Sequence, residues 1–154
     1  MNEAIQKSDV VDDGAFYHFT VAARANPYFR HVVLTDKWLQ VALMTLLPGE
    51  TTGAERHETA TQSFRVVSGT ATFVVSPTNS NEATAAAHQI TEREKFTVPQ
   101  NTRHNLINQQ HVPLVLWTAY SKPMHTHGVI HRRQADAARE EFEREEPIGR
   151  SPLY

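Results

Sequence analysis

Between Phe29 and Tyr120 the chain breaks into short β-type runs, each closed by a turn signal, with no helix-length periodic segment between them. That spacing disfavours a parallel sheet with crossover helices and predicts a closed or double-sheet antiparallel β architecture. The runs are Arg30–Thr35, Trp38–Leu47, Gln62–Val67, Thr70–Ser76, Lys95–Val98, His104–Asn108 and Leu114–Tyr120. Trp38–Leu47 is apolar on both faces and is expected to be central. Gln62–Val67 alternates, which puts Gln62, Phe64 and Val66 on one face and Ser63, Arg65 and Val67 on the other. Ala71, Phe73 and Val75 share a face of the next run. Ala83–Ile90 is open between strand and helical turn, its alanines leaning toward helix. Phe64, Phe73, Phe96, Leu106, Leu116 and Trp117 are the expected core.

The flanks differ. Residues 1–28 read as an arm with turns at Asp12–Gly14 and Asn26–Pro27, and with Phe16, Tyr17 and Phe19 available for docking. Gln134–Glu145 predicts a helix with Ala135, Ala138 and Phe142 on its apolar stripe, stopped by Pro147. The expected organisation is therefore an arm (1–28), a barrel (29–122), and a C-terminal loop and helix packed on the barrel (123–154).

A length of 154 residues suits one domain, and a hydrophobic content of 40% suits a real core. The net charge of -2 and the lack of a basic stripe argue against a nucleic-acid partner. No apolar run is long enough for a signal peptide or a membrane span, so the expectation is a cytoplasmic protein. With no cysteine, thiolate metal sites and cysteine nucleophiles are excluded. Nine histidines instead make an imidazole site plausible.

Glu55-Arg56-His57 provides the place. In an extended segment Glu55 and His57 project together, while Arg56 points away. Gln62 opens the next run on its inward face, and His104 begins a distant one just after Pro99-Gln100-Asn101. Two imidazoles, a carboxylate and an amide oxygen suit a divalent ion such as iron, manganese, nickel or zinc. Each has a plainer role open to it: Glu55 and Gln62 can instead orient an imidazole or bind a ligand, and the whole set can be a hydrogen-bonded polar cluster. His125, His127 and His131 form either a solvated loop or, in part, a proton-handling wall of the pocket. His18, His31, His88 and His111 carry no partner signal. Asn105 and Asn108 read as turn-stabilising residues.

These residues, in this order, resemble the two motifs of the cupin superfamily. Gly49 through Glu55-Arg56-His57, Gln62 and Gly69 is similar to the first motif. Pro99-Gln100-Asn101, His104 and Asn108 are similar to the second. Glu55 stands at the usual first histidine and Gln62 at the usual glutamate. Arg93 and Asn101 replace glycines, and asparagine tolerates positive φ better than most residues. Met124–His131 looks like the histidine-containing tail of a Glu-x-His…Gln subgroup. The resemblance implies a jelly-roll (double-stranded β-helix) barrel, a metal held by Glu55, His57, Gln62 and His104, and a homodimer. It leaves three functions open: a metal-dependent isomerase or oxygenase acting on a small polar molecule, a non-catalytic small-ligand binder, and a metal-free descendant of an enzyme. Arg56 and Arg65, expected outside the barrel, count against a sugar-phosphate substrate.

Overall fold

The computed structural model describes residues 8–11, 14–16, 18–76 and 85–145. The side chains of Phe16, Tyr17 and Phe142, the polar loop at 77–82 and the helix stop at Pro147 lie outside the described residues. The elements are β1 (Ser8–Val11), β2 (Gly14–Phe16), α1 (Phe19–Ala25), β3 (Arg30–Thr35), β4 (Gln40–Leu46), β5 (Gln62–Ser68) and β6 (Ala71–Ser76). They continue with β7 (Ala86–Ile90), β8 (Lys95–Val98), β9 (Arg103–Ile107), β10 (Leu114–Tyr120), β11 (Ile130–His131) and α2 (Gln134–Glu145).

Two antiparallel sheets face each other. The larger has the order β11-β3-β4-β10-β5-β8, and the smaller β7-β6-β9. Isolated bridges Thr51↔Ile107 and Glu55↔His104 lay residues 51–57 along the free side of β9, which makes that segment a fourth, irregular member of the smaller sheet. The fold is thus the expected double-stranded β-helix, with β1 and β2 as a separate hairpin.

Alternation decides what goes inside. In β5, Gln62, Phe64 and Val66 are buried, as the period of two predicts. Phe64 and Val66 join Met44, Leu46, Phe73, Leu106, Leu114 and Leu116 in the core between the sheets, while Gln62 enters the polar cluster. β4 is buried along most of its length because it lies between β3 and β10 in one sheet and is covered on both faces.

Two expectations, on Trp117 and on the stripe of α2, need correcting, and two segments the sequence left open gain definite structure. Trp117 is not in the barrel core. It neighbours inward-facing Leu116 and so points to the outer face, where it packs with Leu43, Val67 and Ala23. The arm contains a helix there: α1 covers that outer patch, its Phe19 ring 5.5 Å from Trp117. Residues 86–90 form a strand, because pairing with β6 overrides alanine's helical preference. Among the described side chains of α2 Ala137 is the buried one, while Ala135 and Ala138 are exposed.

Gly69 turns the chain between β5 and β6 at φ +89, and a Cβ there would meet the Pro113 carbonyl oxygen at 3.0 Å. Arg93 (φ 71) and Asn101 (φ 61) hold left-handed conformations without being glycine. Opposite effects are therefore expected from opposite substitutions. Gly69→Ala should cost about 1–2 kcal/mol, while Arg93→Gly should stabilise by up to about 1 kcal/mol, both read by denaturant unfolding. A destabilised Arg93→Gly would show that the side chain contributes more than its backbone strain removes.

Candidate metal centre

The site is assembled by backbone pairing before any side chain acts. Glu55 N–H donates to the His104 carbonyl at 2.8 Å, and His104 N–H to the Glu55 carbonyl at 2.9 Å. Asn101 N–H donates to the His57 carbonyl at 2.9 Å, which anchors the far end of the segment. Gln62 enters from the opposite sheet as the first residue of β5. The structure thus brings together all four predicted residues, with one donor atom each from Glu55, His57 and His104 lying within 4.8 Å of one another.

Proton placement shows what the cluster lacks. His104 Nδ1 lies 2.9 Å from the Thr102 carbonyl, which only accepts, so Nδ1 carries the hydrogen. Burial lowers the His104 pKa below its ordinary value and outweighs the raising effects of the Thr102 carbonyl and Glu55, so the ring is neutral. Its Nε2 is then a bare lone pair. That nitrogen faces Gln62 Oε1 at 3.0 Å, and His57 Nε2 faces the same oxygen at 3.0 Å. The Gln62 amide cannot be reversed to supply a proton. Its Nε2 donates to Thr118 Oγ1 at 3.0 Å, and Thr118 spends its own hydrogen on the Ser63 carbonyl. Glu55 Oε2 lies 3.8 Å from both imidazole nitrogens and has no hydrogen-bond partner among the described residues. The His104 nitrogen, the amide oxygen and the carboxylate oxygen are all acceptors turned toward one point, with His57 Nε2 beside them. Burying such groups unpaired is costly, and a divalent cation bound by mixed nitrogen and oxygen donors satisfies them together.

A second layer fixes Glu55. Its Oε1 lies 3.5 Å from Arg30 Nη2, and both side chains are buried. Burial alone would raise the Glu55 pKa, but the His57 imidazole, the Arg30 charge and His104 together hold it below the ordinary carboxylate range. Arg30 Nη1 lies 3.5 Å from His131 Nδ1, and His131 Nε2 lies 2.5 Å from Glu140 Oε2 on α2. Burial, then the Arg30 charge, lowers the His131 pKa despite Glu140. A neutral ring that accepts from Arg30 and donates to Glu140 fits both contacts. The C-terminal helix is therefore wired to the site through Glu140, His131 and Arg30.

Of the tail histidines, His131 is buried and reaches the site at one remove, while His127 is exposed. His125 Nε2 lies 3.2 Å from the Tyr120 hydroxyl, and the Tyr120 ring meets His57 edge-on at 5.6 Å. Asn108 is structural: its amide donates to the Leu46 and Val112 carbonyls. Asn105 Oδ1 accepts from the Thr51 and Thr52 hydroxyls and ties down residues 51–57. Arg56 is exposed, as expected. Arg30 was missed by sequence reasoning, although the alternation Arg30-Val32-Leu34 placed it on the inward face of its run.

The site is thus a histidine- and carboxylate-bearing cluster between the two sheets of a jelly-roll barrel. Comparison with known proteins makes this specific. The family model described as "Cupin domain" matches residues 42–120, and the chain belongs to that family. It is 34% identical over 116 residues to Uncharacterized protein YrkC of Bacillus subtilis, covering 75% of this chain and 61% of that protein. It is 36% identical over 110 residues to Uncharacterized protein L612 of Acanthamoeba polyphaga mimivirus, covering 71% of this chain and 66% of that protein. The chain thus spans a little under two thirds of the length of these relatives. Among solved structures, protein BH2720 of Bacillus halodurans superposes with a TM-score of 0.77 at 28% identity, over 84% of this chain and 99% of that one.

Two outcomes follow for the metal-free protein. Unfolded chains bind protons at His104 and His131 near the ordinary value of 6.5, whereas the folded rings resist protonation. The stability they contribute is present above about pH 6.5 and is lost as pH falls toward the lowered folded values. The Glu55 contribution, present above its ordinary 4.5, is lost only as pH falls further, through its lowered folded pKa. Denaturant unfolding at pH 7.5 and at about pH 5.5 should show the first loss, and equal stability at both would contradict it. Separately, Arg30→Met should destabilise by about 3 kcal/mol because it strands a buried carboxylate, and adding Glu55→Gln should recover part of that loss.

Proposed function

We propose that this cupin binds a divalent metal ion through His57, His104, Glu55 and Gln62 and acts on a small oxygen-bearing molecule as a metal-dependent isomerase or oxygenase. The observation that carries this reading is the convergence of the His104 Nε2 lone pair with the Gln62 amide oxygen and the Glu55 carboxylate oxygen, none of which can give the others a proton. A divalent ion in such a site supplies a Lewis acid that holds or polarises a ligand oxygen. The remaining work falls to this chain's side chains. Arg30 keeps Glu55 ionised and turns its free oxygen inward. Gln62, locked by Thr118, fixes the spacing of the two imidazoles. Phe64 and Phe73, whose rings lie 5.9 and 6.1 Å from that of His104, exclude water from its inner side. The Tyr120 hydroxyl, paired with half-buried His125, holds a proton on the His57 side and can exchange it with solvent.

The resemblance to the superfamily also supports a homodimer with a small-molecule partner, and we propose a cytoplasmic location. No helix among the described residues is long and apolar enough to cross a membrane.

Elemental analysis of the untagged protein, beside the His57→Ala/His104→Ala double variant, tests the proposal. Near-stoichiometric iron, manganese, nickel or zinc is expected in the parent and should be lost in a folded variant. A parent without metal, even after incubation with each ion, would sink it in favour of a metal-free ligand-binding barrel.

A further inference from the structure

Beside the donor cluster lies a cavity of about 440 Å³, lined by Phe73, Val75, His88, Ile90, Phe96 and Val98 among others. It occupies the gap between β7 and β8, the terminal strands of the two sheets. Its walls face the same interior as the donors. Val75 is the register partner of His104, Val98 that of Gln62, and His88 that of Phe73. Directly opposed residues share a face of their sheet, so the cavity ends one residue pair away from two of the four donors. The volume is that of a small-molecule site.

Its chemistry is selective. None of the described lining residues is Lys, Arg, Asp or Glu. The buried guanidinium of Arg30 stands near the other end of the larger sheet and is turned to Glu55, so the cavity offers no Lys or Arg to a phosphate, and His88, Gln89 and Thr97 are its polar lining residues beside six apolar ones. The donor end is different. A divalent ion there would meet one carboxylate, one amide and two imidazoles, while Arg30 offsets the Glu55 charge. The balance favours one further anionic oxygen.

Resting on the metal reading above, we propose that this cavity holds the apolar body of the ligand, an aromatic or branched-chain carboxylate or enolate whose oxygen faces the Glu55, His57, Gln62 and His104 cluster. The ligand carries its charge at one end only. Phe73 and Phe96, their ring centroids 4.2 Å apart, form the wall against which a flat or branched body packs. His88 puts one polar ring on the opposite wall.

Methyl NMR on the full chain, metal-free and metal-loaded, separates the parts. Toluene, a neutral probe, should shift the Val75, Ile90 and Val98 methyl signals with or without metal. Phenylacetate should shift the same signals and bind at least about tenfold more tightly once metal is loaded. Val75→Trp should weaken both probes at least about tenfold without changing metal content, and Phe96→Leu, which removes the aromatic wall but keeps an apolar side chain against Phe64 and Phe73, should weaken phenylacetate. Methyl signals that ignore toluene would overturn the cavity assignment. So would tighter binding of glucose 6-phosphate than of phenylacetate, or phenylacetate binding that both variants leave intact. Failure of the metal reading would register separately, as a parent that takes up no ion while toluene still marks the cavity.

Discussion

The paired hydrogen bonds between Glu55 and His104 join two residues far apart in sequence into one wall, and the rest of the centre is arranged around them. They fix the height of both side chains on the smaller sheet. Gln62 then has to arrive from the larger sheet at the same level, which its register with Val98 and Tyr120 ensures. Because Thr118 holds the amide nitrogen, the amide oxygen can only point at the imidazoles. The barrel thus brings the carbonyl-side atom of Gln62 into a position that in water would be filled by a proton donor.

The cost of that arrangement is visible one layer out. A buried carboxylate needs a counter-charge, and Arg30 provides it from β3. Arg30 in turn is buried, with its Nε lacking a hydrogen-bond partner among the described residues. It is held instead by Glu55 on one side and by His131 on the other. A chain of alternating charge and dipole therefore runs from the centre of the barrel to α2. Such buried pairs are weak sources of stability but strong constraints on orientation, because either charge is expensive without the other. The tail after β10, whose histidines the sequence left open between a solvated loop and a proton-handling pocket wall, thereby supports Glu55 through His131.

What the sequence revealed follows from how local each signal is. Strand alternation is local, so β3, β8 and β10 could be bounded from composition and turns alone, and the inward face of β5 was legible down to Gln62. Glu55 and His57 were readable because two residues apart in an extended segment is also local. Trp117 was misplaced because hydrophobicity does not tell the two faces of a strand apart; Leu116 beside it already claimed the inside, and α1 hid the outside. Short α1 lacks a capping signal, its N-terminal His18 making no side-chain cap hydrogen bond. Arg30 was hidden for a different reason. Charge argues for exposure, and only the three-dimensional placement of Glu55 and His131 makes its burial tolerable.

The account stands on the His104 ring carrying its proton on Nδ1, so that Nε2 offers a lone pair to the centre of the cluster. Long-range nitrogen–proton NMR spectra of the histidine side chains, recorded on metal-free protein at neutral pH and again after adding zinc, read this directly. The expected result is a neutral, Nδ1-protonated His104 whose Nε2 resonance moves on zinc addition while the Nδ1 proton stays in place. An Nε2-protonated His104 that donates to Gln62 and ignores zinc would contradict the account, since the cluster would then be complete without a cation.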